Sequence, residues 1–104
     1  MQHLDDILAK EIRPGFFGKM VHGGKSTLAF WDIKKGSRLQ EHFHPQEQVT
    51  HVVSGELEMF IGGVRYLLTP GTVHVIPPNV PHSAYAHTDC YVIDAFAPAR
   101  DDYK

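Results

Sequence analysis

The sequence predicts an all-β fold, a sandwich or small barrel contained in one domain spanning residues 1–104. Three observations predict it. Turn-forming residues recur about every six to twelve positions, and the segments between them are short and rich in β-branched and aromatic residues. A two-glycine step at Gly62-Gly63 separates two such segments in the manner of a tight hairpin. A chain of 104 residues also has room for only one core. Its margin of stability is small at that size, so a homodimer that buries further apolar surface is the expected assembly.

The elements follow in order. Ile7 to Ile12 reads equally as an opening helix or an edge strand, and Pro14-Gly15 ends it. Phe16 to Val21 and Leu28 to Ile33 are strands joined by a turn at Gly23-Gly24. Lys34-Lys35-Gly36 turns the chain into a histidine-bearing stretch. Val49 to Val53 is a strand closed by Ser54-Gly55, and Leu57 to Ile61 pairs with Val64 to Leu68 across the glycine hairpin. Thr69-Pro70-Gly71 leads into Val73 to Ile76, where Pro77-Pro78 stops the pairing because proline donates no backbone hydrogen bond. His82 to Ala86 and Tyr91 to Ala97 complete the set, and the polar tail Arg100 to Lys104 is expected to drape over the outside.

Composition excludes several functions. Ten basic and twelve acidic residues give a net charge of −2, with no basic block or stripe to favour nucleic acid or an anionic membrane. Cys90 is the single cysteine, which rules out an intrachain disulfide and reads as a small residue packed in or beside the last strand. The amino terminus lacks the charged and apolar segments of a signal peptide, and no run approaches membrane-spanning length. A cytoplasmic location is the expectation.

The most chemical part of the sequence is His42-Phe43-His44-Pro45-Gln46-Glu47-Gln48, with Pro77-Pro78-Asn79-Val80-Pro81-His82 downstream. Side chains two apart on a strand point the same way, so His42 and His44 project together, and Gln48 shares their parity if the strand runs on. Glu47 and His51 have the opposite parity and should face away. His82 must arrive from another strand, which a small barrel allows. Three imidazoles and one amide carbonyl form a mixed N/O set suited to a divalent transition metal, with Ni, Zn, Mn or Fe all compatible. Neutral imidazoles must donate, so binding is expected to fade as pH falls through about 6.5.

These spacings resemble the cupins, small jelly-roll barrels built from two Greek keys. The first cupin motif maps onto Gly36, His42, His44, Gln48 and Gly55, and the second onto Gly71, Pro77, Asn79, His82 and Ala86. Three departures are visible, one of them Ala86 where the family has Asn, which removes a polar group and leaves the metal ligands intact. Gln48 stands where the family usually has Glu, leaving the metal's double charge unreduced and favouring a Lewis acid over an oxygen-activating iron centre. Asn79 replaces a glycine, a mild change because Asn tolerates positive φ.

A narrower resemblance is to the pectin-degradation, KdgF-like cupins. It rests on His44-Pro45-Gln46-Glu47-Gln48, Pro77 to Ser83, Thr88-Asp89-Cys90, Asp94 to Tyr103 and Arg13-Pro14-Gly15-Phe16; Ala97 and Ala99 depart from the usual tail. The resemblance implies an enzyme that opens the ring of a 4,5-unsaturated monouronate, a small anionic sugar released by pectin or alginate lyases. It further implies metal ligation by His42, His44, Gln48 and His82, with Asp94, Phe96 and Arg100 as active-site residues. Asp94 would move a proton, Phe96 face the sugar ring and Arg100 grip the carboxylate in a bidentate fork. Each has a plainer role to set against this: Asp94 as a buried structural acid, Phe96 as core, Arg100 as an exposed tail arginine. Two other functions stay open, a cupin dioxygenase acting on a different small molecule and a non-catalytic sugar- or metal-binding module. Trp31 reads as core or dimer interface, and His3, His22, His74 and His87 as surface or structural residues.

Overall fold

A computed structural model describes all 104 residues. Ten strands form: β1 (Lys10–Arg13), β2 (Phe16–His22), β3 (Thr27–Ile33), β4 (Arg38–His42), β5 (Glu47–Ser54), β6 (Leu57–Ile61), β7 (Val64–Leu68), β8 (Val73–Ile76), β9 (His82–Ala86) and β10 (Cys90–Ala97). The ambiguous opening segment resolves as the short edge strand β1, which pairs with β2. Single 3-10 turns lie at Leu4–Asp6 and Asp101–Tyr103, and no helix is long and apolar enough to cross a membrane.

The strands form two antiparallel sheets in the orders β1-β2-β3-β10-β5-β8 and β4-β9-β6-β7, facing each other as a jelly roll. Period-two alternation decides which side chains meet between them. In β3, Thr27, Ala29, Trp31 and Ile33 are buried while Leu28 and Asp32 are exposed. Trp31 is therefore core. β10 turns Cys90, Val92, Asp94 and Phe96 inward, and β5 turns Gln48, Thr50 and Val52 inward. From the opposite sheet come Leu57, Met59, Ile61, Leu68, Ala84 and Ala86. One end of the interior is thus apolar, whereas Thr27, Gln48, Thr50, His82 and Asp94 make the other end polar.

Register creates that polar end. Pairing of β4 with β9 sets His42 opposite His82. Pairing of β5 with β10 sets Thr50 opposite Asp94 and Gln48 opposite Phe96. A one-residue slip would turn every one of these groups outward.

The tail departs from expectation. It folds back over the barrel mouth instead of lying on the surface, with Arg100 only 6% exposed. The Tyr103 ring meets Trp31 at 6.2 Å and Phe96 at 6.1 Å, edge to face. Burial of those aromatic faces outweighs the polar character of the surrounding residues.

Candidate metal centre and cavity

The strand does not run unbroken from His42 to Gln48: β4 ends at His42 and β5 begins at Glu47. The two-residue parity survives the break nonetheless. His44, Gln46 and Gln48 are buried, while Phe43 and Glu47 are exposed. His51 lies on the outer parity of β5, as expected. Asn79 sits at φ 63°, the conformation its place in the second motif called for.

The rings of His42, His44 and His82 converge, with centroids 5.7 Å (42 to 44), 4.3 Å (42 to 82) and 5.0 Å (44 to 82) apart. One nitrogen from each lies within 4.8 Å of the others. Backbone carbonyls fix which nitrogen is free. Nδ1 of His42 donates to the Gln40 carbonyl at 3.0 Å, Nδ1 of His44 to that of Gln46 at 3.1 Å, and Nδ1 of His82 to that of Val80 at 2.9 Å. His42 and His82 therefore carry their lone pairs on Nε2; His44 Nε2 also faces an acceptor, Gln48 Oε1, and carries its lone pair there in the tautomer that donates through Nδ1. His82 Nε2 is buried with no hydrogen-bond partner.

Gln48 is oriented by the same kind of accounting. The Thr50 hydroxyl donates to Asp94 Oδ1 at 2.7 Å. Its oxygen is then an acceptor for Gln48 Nε2, 2.9 Å away. That bond turns the Gln48 carbonyl oxygen toward His44 Nε2, at 3.0 Å. With the His44 proton on Nδ1, four lone-pair donors point into one space, an arrangement that a cation stabilises and that is otherwise repulsive. The donor set fits a divalent transition metal, and the Thr50 hydrogen bond would hold the Gln48 amide in place as one of its ligands. Parity places Thr50 beside Gln48 on the inner face, a signal available in the sequence that a search for ionisable side chains passes over.

Burial tunes the charges. It lowers the pKa of all three rings, that of His82 to about 4. Nearby Arg100 further lowers that of His44. Burial also raises Asp94 to about 6, against hydrogen bonds from Thr50, Gln48 and Trp31 that favour its charged form. A carboxyl poised there can both take and return a proton near neutrality.

His42, Gln48, His82, Asp94, Phe96 and Arg100 all line one cavity. Arg100, however, is not an open fork. Its Nε and Nη2 donate to the two carboxylate oxygens of Asp102 at 2.9 and 2.7 Å. The guanidinium also stacks over Phe96 at 4.7 Å and Tyr103 at 4.0 Å. Asp102 lies two residues beyond Arg100, a spacing from which the pairing was not anticipated. Phe96 is 2% exposed and meets the His44 ring edge to face at 5.6 Å, so it serves the core and the cavity wall together. The remaining histidines stay apart: His74 packs on Tyr66, His87 pairs with Glu58, and His22 bonds Thr27.

Comparison with known proteins agrees with this architecture. The chain is similar to an RmlC-like cupin from Shewanella frigidimarina, with a TM-score of 0.95 and 30% identity over 100% of this chain and 95% of that one. It is similar to KdgF from Halomonas sp., with a TM-score of 0.87 and 30% identity over 92% and 90% of the two chains. A curated relative, the H2HPP isomerase of Bacillus subtilis, is 41% identical over 74 residues, which are 70% of this chain but only 31% of that protein. The family described as Cupin domain matches residues 29–96. That stretch holds both histidine motifs and every strand bearing a candidate ligand, and the chain belongs to the cupin family.

Proposed function

We propose that this protein opens the ring of a 4,5-unsaturated monouronate and delivers the linear keto form. The reaction is an isomerisation. The C1 hydroxyl loses its proton as the C1–O5 bond breaks, O5 becomes the enol oxygen at C5, and C4 gains a proton as the enol becomes a ketone. One group must therefore accept a proton and one must return it. Asp94 suits both roles, because it lines the cavity and its pKa is raised by burial to about 6.

The observation that carries this reading is the junction of that carboxyl with the four lone-pair donors through the single hydroxyl of Thr50. His42, His44, Gln48 and His82 would hold a divalent metal, which when bound supplies Lewis-acid activation of sugar oxygens. Phe96 presents an aromatic wall for the ring, and Arg100 contributes positive charge for an anionic substrate. The sequence resemblance to pectin-degradation cupins and the structural likeness to KdgF support the substrate class. The isomerase name of the Bacillus subtilis relative accords with a reaction that neither gains nor loses atoms.

The test combines elemental analysis of the purified protein with incubation of the metal-loaded form with 4,5-unsaturated monouronate. The expected result is loss of the conjugated double-bond absorbance without oxygen consumption. Saturable binding that leaves the absorbance intact would reduce the protein to a binding module, and oxygen uptake would make it a dioxygenase.

A further inference from the structure

Arg13 shares the metal cavity and belongs to no ion pair. Glu11 pairs with Phe17 and Arg13 with Phe16, so Ile12 is an extra residue in the ladder of β1 with β2, a β-bulge. Neighbours on a regular strand face opposite sides, yet Ile12 and Arg13 both line the cavity. The bulge is what re-aims the arginine. Its nearest acid in sequence is unavailable, because a carboxylate oxygen of Glu11 accepts the Gly15 N–H at 3.1 Å. None of the chain's five ion pairs includes Arg13, whereas the fork of Arg100 is already engaged by Asp102.

We infer that Arg13 is the residue that selects an anionic substrate, by pairing its open guanidinium fork with the substrate carboxylate at the mouth of the cavity. The inference rests on the uronate reading and reassigns the role first expected of Arg100. Two physical differences separate the arginines. Arg100 has its Nε–Nη2 edge, the bidentate edge of the fork, on Asp102, and its guanidinium is packed against the Phe96 and Tyr103 rings. Arg13 is solvent-exposed with its whole fork unpaired, so a planar carboxylate can dock on it bidentately without displacing an internal partner. Arg100, held rigidly below, then contributes field in place of a direct grip.

The test uses metal-loaded wild type, Arg13→Gln and Arg13→Lys, with 4,5-unsaturated galacturonate and its methyl ester as substrates. The same proteins are titrated calorimetrically with D-galacturonate and methyl galacturonate. Wild type is expected to prefer the acid over the ester in kcat/KM and in affinity. Arg13→Gln is expected to shrink that preference about tenfold, and Arg13→Lys to restore part of it. An unchanged preference in Arg13→Gln overturns the inference, as does a wild type that binds neither sugar or does not distinguish them. A wild type that distinguishes the two by calorimetry but turns over neither would defeat the ring-opening reading alone. Arg13 would then still be judged by whether Arg13→Gln abolishes the distinction.

Discussion

His44 Nε2 and Gln48 Oε1 face each other at 3.0 Å, and with the ring proton on Nδ1, against the Gln46 carbonyl, each presents a lone pair. Their orientations are enforced from behind, His44 by the Gln46 carbonyl and Gln48 by Thr50. Such a contact is stable when a cation sits between the pair and its neighbours His42 and His82. The same relationship would make Thr50 a positioning residue for a metal held by these four side chains, without touching it.

Replacing Thr50 with valine keeps the shape and removes the hydroxyl. Gln48 is then free to rotate, and metal affinity is expected to fall about ten- to a hundredfold, the usual loss for an outer-shell partner. Thr50→Ser should keep most of the affinity. Competition titration with a chromophoric chelator checks both variants, and equal affinity in wild type and Thr50→Val would remove Thr50 from this role.

Asp94→Asn tests proton transfer separately from metal binding. Turnover of unsaturated monouronate is expected to drop by roughly a hundredfold or more. Metal content should stay near that of wild type, because Asp94 is not among the four donors. In the wild type, activity should fall on the acid side as Asp94 protonates near its raised pKa of about 6. Turnover by Asp94→Asn close to wild type would exclude Asp94 from the chemistry.

Acidification should destabilise the metal-free protein. The folded pKa of His82, about 4, lies below the ordinary imidazole value of 6.5. Between those values the unfolded chain binds a proton that the native chain does not, so stability falls with pH at roughly 1.4 kcal/mol per unit for this one group. Asp94 acts in the opposite sense. Raised from 3.8 to about 6, it keeps a proton in the native state across that window, so its contribution falls as pH rises through it. The two largely offset each other between about pH 4 and 6, leaving the lowered pKa values of His42 and His44 to set the net trend. A lower Tm at pH 5 than at pH 7.5 is expected by calorimetry. The pH of metal loss should likewise lie below the 6.5 of free imidazole, in contrast to the expectation from sequence alone. A Tm that rises on acidification would contradict buried neutral imidazoles.

Gly55, between β5 and β6, sits at φ +87°, and an added Cβ would lie 2.2 Å from the Asp89 carbonyl oxygen and 2.8 Å from Cys90 Sγ. Left-handed backbone in a residue with a β-carbon costs about 1–2 kcal/mol before any clash. Gly55→Ala is therefore expected to lose roughly 2–4 kcal/mol, visible as a Tm drop of about 10 °C or more. An unshifted Tm would show that the turn relaxes freely.

Much of this was legible in the sequence because strand parity and turn chemistry are local. The bounds of β6, β7, β8 and β9 follow from their glycine and proline punctuation, and inward-facing Gln48 follows from alternation even across the break at residues 43–46. Less local features were not legible. The fate of the tail depended on whether Tyr103 found aromatic partners, and Trp31 and Phe96 come from strands far away in the chain. The bulge that re-aims Arg13 depends on register against β2, which no pattern within Lys10–Arg13 specifies.

The sequence by itself determined the all-β class, the two histidine motifs and the side of each strand on which a candidate ligand projects, because a period of two is written residue by residue. Tertiary structure decided which nitrogens are free, which way the Gln48 amide turns, that Asp94 is raised, and that Asp102 occupies Arg100 while Arg13 stands open. Those outcomes depend on hydrogen-bond partners and burial contributed by other strands. They exist only once the two sheets close on each other.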